Sequence, residues 1–361
     1  MKPTTKFFLF FIPVAVIVSI AFHAVMSLAS AQATAGMPLE TINTINGMAT
    51  WSASIMVGCG FALLVALIAI KKWVPIIAVL LYMFVQTTMT VPLAMVMKFK
   101  PEWYTAAMGA GILVAGLIMI ALVHAMKFYD VRRSFKSSIG AILTILAVVA
   151  VIIGSVAGNI LNEALDLENI MEQQFIDMSS DVLGILAIAV IGPIAEEVVF
   201  RGAVCRSLLK KGVPVGLTVL ISAMLFGLIH FNPAQIPFAF IMGLLLGYIY
   251  CRTGSLVPTI IAHILNNSIS VVMMAIYGEE SSNMTFADML GSQTNAWIVM
   301  GVCALAAIGL LYVFHKKCEP AEVLWDKTDP DEPEAPVTPP EVPITPSEIP
   351  VTPPEIPQIP S

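Results

Sequence analysis

The sequence predicts an all-α fold: a polytopic transmembrane helical bundle of about ten spans, with a disordered proline-rich C-terminal tail. Three observations carry that expectation. Of 361 residues, 58% are hydrophobic and only 12% charged. The mean hydropathy is +0.89. The apolar residues also gather into runs that can cross about 30 Å of hydrocarbon at about 1.5 Å per helical residue.

The first run, residues 7–31, follows Lys2 and Lys6. Its end, Ser-Leu-Ala-Ser-Ala-Gln-Ala (27–33), has the small residues of a signal-peptidase site. The apolar stretch from Phe7 to Leu28 is longer than a typical signal core, which favours an uncleaved signal anchor over a cleaved leader. Further spans are expected at 51–70, 74–97, 103–126, 138–160, 182–200, 214–232, 236–251, 256–277 and 295–314. With the first helix starting inside, fifteen basic residues fall on cytoplasmic segments, among them Lys71, Lys72, Arg132, Arg133, Lys210 and Lys211. Only Lys98 and Lys100 fall outside. That asymmetry predicts cytoplasmic termini at both ends, in the plasma membrane if the source is a prokaryote. Four regions are expected: an N-terminal membrane region (1–180) ending in an external amphipathic segment at 161–181, a core (181–277), an external loop with the last span (278–317), and the tail (318–361).

The tail holds 13 of the 24 prolines within residues 320–360, in a repeat running Pro-Val-Thr-Pro-Pro-Glu-Val, Pro-Ile-Thr-Pro-Ser-Glu-Ile, Pro-Val-Thr-Pro-Pro-Glu-Ile. Proline lacks an amide donor and the acids repel, so the segment reads as extended polyproline II, a spacer or a ligand for a proline-reading partner. Residues 319–361 carry ten acids against one lysine, so the net charge of −6 belongs to the tail. No basic stripe argues for a nucleic-acid partner. The five cysteines are scattered, with no Cys-x-x-Cys, which does not support a disulfide framework.

Chemistry concentrates in the core. Glu196 and Glu197 lie in the apolar run that begins at Val182, and Arg201 follows Glu197 by one helical turn. An intramembrane acid is a functional-site hypothesis by default. Adjacent helical residues point about 100° apart, so Arg201 pairs with Glu197 at i+4 and leaves Glu196 on a neighbouring face. A structural Glu–Arg pair needs no second Glu. Phe226-Gly-Leu-Ile-His230 ends the next run, and His263-Ile-Leu-Asn-Asn267 sits inside a later one. Each His taken alone reads as a buried imidazole bonded to a backbone carbonyl. His124 and His23 carry no such context, and Gly243-Leu-Leu-Leu-Gly247 reads as a helix-packing motif.

Measured along each helix from a shared cytoplasmic end, Glu196, His230 and His263 lie at roughly 22, 24 and 12 Å. A kink at Pro193 or at Asn232-Pro233 is needed to level them.

The ordered set Glu-Glu-x-x-x-Arg, Phe-x-x-x-His, His-x-x-x-Asn resembles the CPBP intramembrane proteases, the family of type II CAAX prenyl endopeptidases and Abi bacteriocin-immunity proteins. The resemblance covers roughly residues 182–275, with all three motifs intact. It implies an intramembrane endopeptidase acting on a membrane-associated protein or peptide within the lipid bilayer, CAAX-like or another precursor. Glu196 and His230 are assigned to water activation, and His263 and Asn267, at i and i+4, to an oxyanion. Glu197 is assigned as the partner of Arg201, with exchange of the two Glu roles left open. These roles are similar to the glutamate-dependent mechanism proposed for the family. A metalloprotease reading competes, in which Glu196, His230 and His263 hold zinc and the other Glu is the base. Asn267 has a use as an oxyanion donor and none as a zinc ligand, which favours the metal-free form. Rival functions are a transporter with a proton relay and a non-proteolytic immunity or scaffold protein.

Overall fold

The computed structural model describes residues 48–70, 72–97, 103–128, 139–278 and 284–320, with short pieces at 5–6, 8–17, 19–20, 23, 134–135 and 280. The expected first span lies partly outside the described residues, and the proline-rich stretch beyond residue 320 lies wholly outside them.

Among the described residues the regular elements are helices, without a strand. In chain order they are α1 (Phe8–Ile17), α2 (Met48–Ala69), α3 (Val74–Met97), α4 (Tyr104–Ala125), α5 (Ala141–Glu163), α6 (Glu172–Ser179), α7 (Val182–Lys210), α8 (Val215–Leu228), α9 (Ile236–Thr253), α10 (Val257–Tyr277), α11 (Phe286–Leu290) and α12 (Gln293–Lys317). Six of them, α4, α5, α7, α9, α10 and α12, are long and apolar enough to cross a membrane. Shorter apolar stretches, Phe8–Ile17, Gly58–Ala69, Val74–Thr90 and Val215–Leu228, fall on the four remaining expected spans. The protein is an integral membrane protein.

Local chemistry sets the helix ends. The Asp181 carboxylate accepts the amides of Leu183 at 2.9 Å and Gly184 at 3.1 Å, capping α7. Gly254, at φ +66°, closes α9 in the left-handed conformation that lacks a penalty only for glycine. Arg252, two residues earlier, donates to the carbonyls of His315 (2.9 Å) and Cys318 (2.7 Å), which have no amide donor at the end of α12. Where the α2–α3 and α7–α8 loops meet, Lys72 Nζ donates to the Lys211 carbonyl at 3.1 Å. Partial burial, then the Lys211 charge, holds the Lys72 amine below its usual range.

Helix α7 is the axis of the bundle, and its irregularity follows from Pro193. Proline has no amide hydrogen, so a regular ladder fails there. The Gly192 amide reaches back five residues to the Ala187 carbonyl, giving a π-helical turn over Ala187–Ile191. The Ile188 carbonyl then has no donor within its own helix, because Gly192 is committed and Pro193 has none. Asn267 on α10 supplies the missing hydrogen through Nδ2 at 3.1 Å. The expected kink at Pro193 is thus a π-turn, stitched to a neighbouring helix. An α-helical segment, Gly192–Glu197, follows, and then a second π-helical stretch over Val198–Cys205 whose eight residues are all buried.

The expected 214–232 span differs. Helix α8 ends at Leu228 after 14 residues, about 21 Å of rise, and His230 sits beyond it in a turn. Phe231 in that turn adopts φ +49°, a conformation costly for a residue with a Cβ. Asn232, fully buried, holds it in place: its Nδ2 donates to Asn169 Oδ1 at 2.7 Å, and its Oδ1 accepts the Ile170 amide at 3.3 Å.

The levels inferred from the sequence assumed that the helices start at one height. Ser255 and Leu256, between α9 and α10, are 0% exposed, and the Leu256 amide donates to the Ser134 carbonyl at 2.8 Å. Helix α10 therefore begins on a buried turn, and its His263 meets Glu197 on α7.

Helices α8 and α9 pack closely through glycine. A Cβ on Gly243 would lie 2.7 Å from Ala223 Cα, and one on Gly247 would meet Val219 Cγ1 at 3.4 Å. Two outcomes follow from this packing. Gly243→Val should force α8 and α9 apart and cost about 1–3 kcal/mol, read as a lower Tm of the purified protein. Asn267→Ala should leave the half-buried Ile188 carbonyl unpaired and cost about 1–3 kcal/mol in the same assay. An unchanged Tm for Asn267→Ala would contradict the role given to its amide.

Candidate active site

The site is built outward from Glu197. Its side chain and that of Arg201 are both 0% exposed, and Arg201 Nη1 meets Glu197 Oε1 at 2.9 Å. Arg201 is also the bulkiest of the fully buried side chains among the described residues. Burying two charges is costly unless the geometry and further hydrogen bonds compensate. Here Arg201 Nη2 donates to the Gly243 carbonyl at 3.4 Å, and the guanidinium lies 4.7 Å above the centre of the Phe226 ring. The absence of a side chain at Gly243 thus serves both helix packing and access to its carbonyl.

His263, on α10, bonds to the same carboxylate oxygen, with Nδ1 2.9 Å from Glu197 Oε1. The carboxylate can only accept, so Nδ1 carries a hydrogen. The other ring nitrogen, Nε2, faces Glu196 Oε2 at 3.6 Å. His263 therefore stands between the two glutamates. Glu196 and Glu197 are not equivalent: the Glu196 side chain is 16% exposed, the Glu197 side chain not at all.

His230 lies in the turn after α8. Its Nδ1 sits 2.8 Å from the Phe226 carbonyl, an acceptor, which fixes the hydrogen on Nδ1 and leaves a lone pair on Nε2. Phe226 packs edge-to-face against His230 at 5.2 Å and against His263 at 5.7 Å. One ring thus spaces the two imidazoles and covers Arg201.

Asn267 is a turn beyond His263 but points its amide at Ile188, while its Oδ1 accepts from Asn266 Nδ2 at 3.2 Å. Of the residues expected from the sequence, Glu196, Glu197, Arg201 and His263 form one connected set. His230 joins it through Phe226, and Asn267 joins through the backbone of α7.

The sequence reading missed α3. Tyr82 OH donates to Glu196 Oε1 at 3.2 Å, and Gln86 Nε2 donates to the Tyr82 oxygen at 3.2 Å. Tyr82 is 5% exposed and packs against Phe200 at 6.2 Å, which in turn packs on Phe226 at 5.2 Å. Tyr82 and Gln86 are one helical turn apart, a spacing that apolar spans carry by chance and that gave no signal.

Zinc can be tested against the donor set. Among the described residues no group of three His, Cys, Asp or Glu side chains is arranged to hold a metal ion. His263 directs both ring nitrogens at carboxylates, and although His230 keeps Nε2 open, no third side chain among the described residues joins it in a metal-holding group. Glu196, His230 and His263 as placed do not fit the expected zinc site, and the metalloprotease reading gains no support.

Residues 178–269 match the family described as Type II CAAX prenyl endopeptidase Rce1-like. A protein of Bacillus subtilis (strain 168) with the name "Putative membrane peptidase YdiL" is 28% identical over 167 residues, which is 44% of this chain and 68% of that protein. No solved structure matches significantly. The family match covers all three motifs and the buried Glu197–Arg201–His263 set, so through this core the chain is similar to the type II CAAX prenyl endopeptidase-like membrane proteases.

Proposed function

We propose that the protein is an intramembrane endopeptidase that hydrolyses a peptide bond of a membrane-associated substrate, CAAX-like or another precursor, with a water activated by Glu196. The observation that carries this reading is the inequality of the two glutamates. Glu197 is sealed and spent on Arg201 and His263, whereas Glu196 is the partly open one.

In the proposed reaction Glu196 takes a proton from water, and the lone pair on His230 Nε2 orients that water. The water oxygen attacks the scissile carbonyl, whose oxygen gains negative charge. The His263 ring is held through Nδ1 by Glu197, and its Nε2 edge, when it carries a hydrogen, is the donor such an oxyanion needs. The second amide hydrogen of Asn267 is the other proposed donor. Glu196 then returns its proton to the departing amine. We place both termini in the cytoplasm, from the distribution of Lys and Arg, and take the proline-rich tail as a spacer or partner-binding segment.

The test is Glu196→Gln in folded, chelator-treated protein, with substrates captured by the variant and identified by mass spectrometry. Gln is nearly isosteric but cannot accept the proton, so cleavage should vanish while Tm and membrane insertion stay at wild-type values. Near-wild-type turnover would remove Glu196 as the base and point to Glu197. Activity of the wild type that disappears with chelator and returns with zinc would overturn the metal-free form.

A further inference from the structure

We propose that Tyr82 and Gln86, on α3 and outside the matched segment 178–269, form a hydrogen-bond relay that positions the Glu196 carboxylate for proton transfer. The proposal rests on the reading of Glu196 as the base. Glu196 sits on a helix flanked by π-turns, and a carboxylate on a long side chain loses rotamer freedom only if something outside holds it. His263 does not supply that hold, because its Nε2 is 3.6 Å from Oε2. Among the described residues the direct side-chain hydrogen bond to Glu196 comes from Tyr82, at 3.2 Å to Oε1.

The direction of the relay follows from donor chemistry. The Gln86 amide nitrogen can only donate, and it reaches the Tyr82 oxygen at 3.2 Å. The hydroxyl oxygen is thereby the acceptor for Gln86, and its own hydrogen is directed at Glu196. A donor that itself accepts a hydrogen bond is a stronger donor, so the two bonds reinforce each other. Packing fixes the origin of the relay: Tyr82 is 5% exposed and meets the edge of Phe200.

The consequence is an asymmetric base. Oε1 is occupied by Tyr82, so Oε2, on the His263 side, is the oxygen that meets water. The groups that meet Glu196 are then Tyr82 from α3 and His263 from α10, with Glu197 and Arg201 next along α7. The N-terminal half of the chain thus completes the site and does more than anchor it. Tyr82 and Gln86 are positioning residues, acting through Glu196.

The experiment uses the full-length protein in lipid nanodiscs and, as probe, the peptide that the wild type cleaves fastest from a membrane-peptide library. Tyr82→Phe keeps the ring and its packing on Phe200 and removes only the hydroxyl. It should lower kcat about 10–100-fold with KM unchanged, the loss expected for a hydrogen bond to a charged group. Gln86→Leu should lower kcat less, about 3–10-fold, and should have no further effect in the Tyr82→Phe background, because it acts only through the hydroxyl. Tm of each variant is measured alongside, and a merely structural role would lower Tm without this kcat-only, non-additive pattern. Wild-type kcat in Tyr82→Phe, beside an inactive Glu196→Gln, would overturn the relay and leave the base assignment standing. Raised KM at constant kcat, or multiplicative losses in the double variant, would also overturn it. An active Glu196→Gln, or a library with no cleaved peptide, would instead defeat the underlying reading and the relay with it.

Discussion

The arrangement depends on one buried carboxylate. Glu197 accepts from Arg201 and His263 on a single oxygen, in a place sealed from solvent. An uncompensated charge there would cost several kcal/mol, so the neighbourhood must supply its counter-charge and hold it still. Four helices are committed to that task. Helix α7 carries the pair, α9 offers the bare Gly243 carbonyl, α8 places Phe226 over the guanidinium, and α10 delivers His263. A structural requirement of the bilayer interior thereby fixes the orientation of an imidazole that also faces Glu196. In the proposed reading stability and chemistry share one set of contacts, with the sealed glutamate serving the first and its partly open neighbour the second.

The irregular backbone serves the same end. A regular helix through Pro193 would leave a carbonyl unpaired in a medium that offers no water. The π-turn moves that defect to Ile188, within reach of Asn267, four residues beyond His263 on the same helix. Two side chains of α10 therefore grip α7, Asn267 by the Ile188 carbonyl before the Glu pair and His263 by the carboxylate of Glu197 within it. At the other end of the site the strained Phe231 turn is held by Asn232 and Asn169, which keeps His230 off the end of α8 and beside Phe226.

Much of this was legible in the sequence, for identifiable reasons. The helical class follows from long apolar runs, and the Glu197–Arg201 pair from i, i+4 spacing in an apolar context. The motif residues announce themselves because polar groups are rare there. What was hidden depends on partners far apart in the chain. The sequence shows that Pro193 disturbs a helix but not that Asn267 repairs it. Nor does it show that the α9–α10 turn is packed inside, because that turn reads like any loop although Ser255 and Leu256 are buried. Tyr82 and Gln86 were invisible because one tyrosine and one glutamine in a span read as packing and interface residues. Only the meeting of α3 with α7 gives them a role.

The central claim is that Glu197 and Arg201 are a mutually dependent structural pair and that Glu196 is not part of it. A double-mutant cycle on thermal unfolding tests this most directly, with Glu197→Leu, Arg201→Met and the two combined in purified full-length protein. The account predicts that each single change lowers Tm sharply, because the remaining charge is stranded, and that the double variant, with neither charge left, recovers more than half of either loss. Losses that simply add would show that the two charges are independent and would contradict the account.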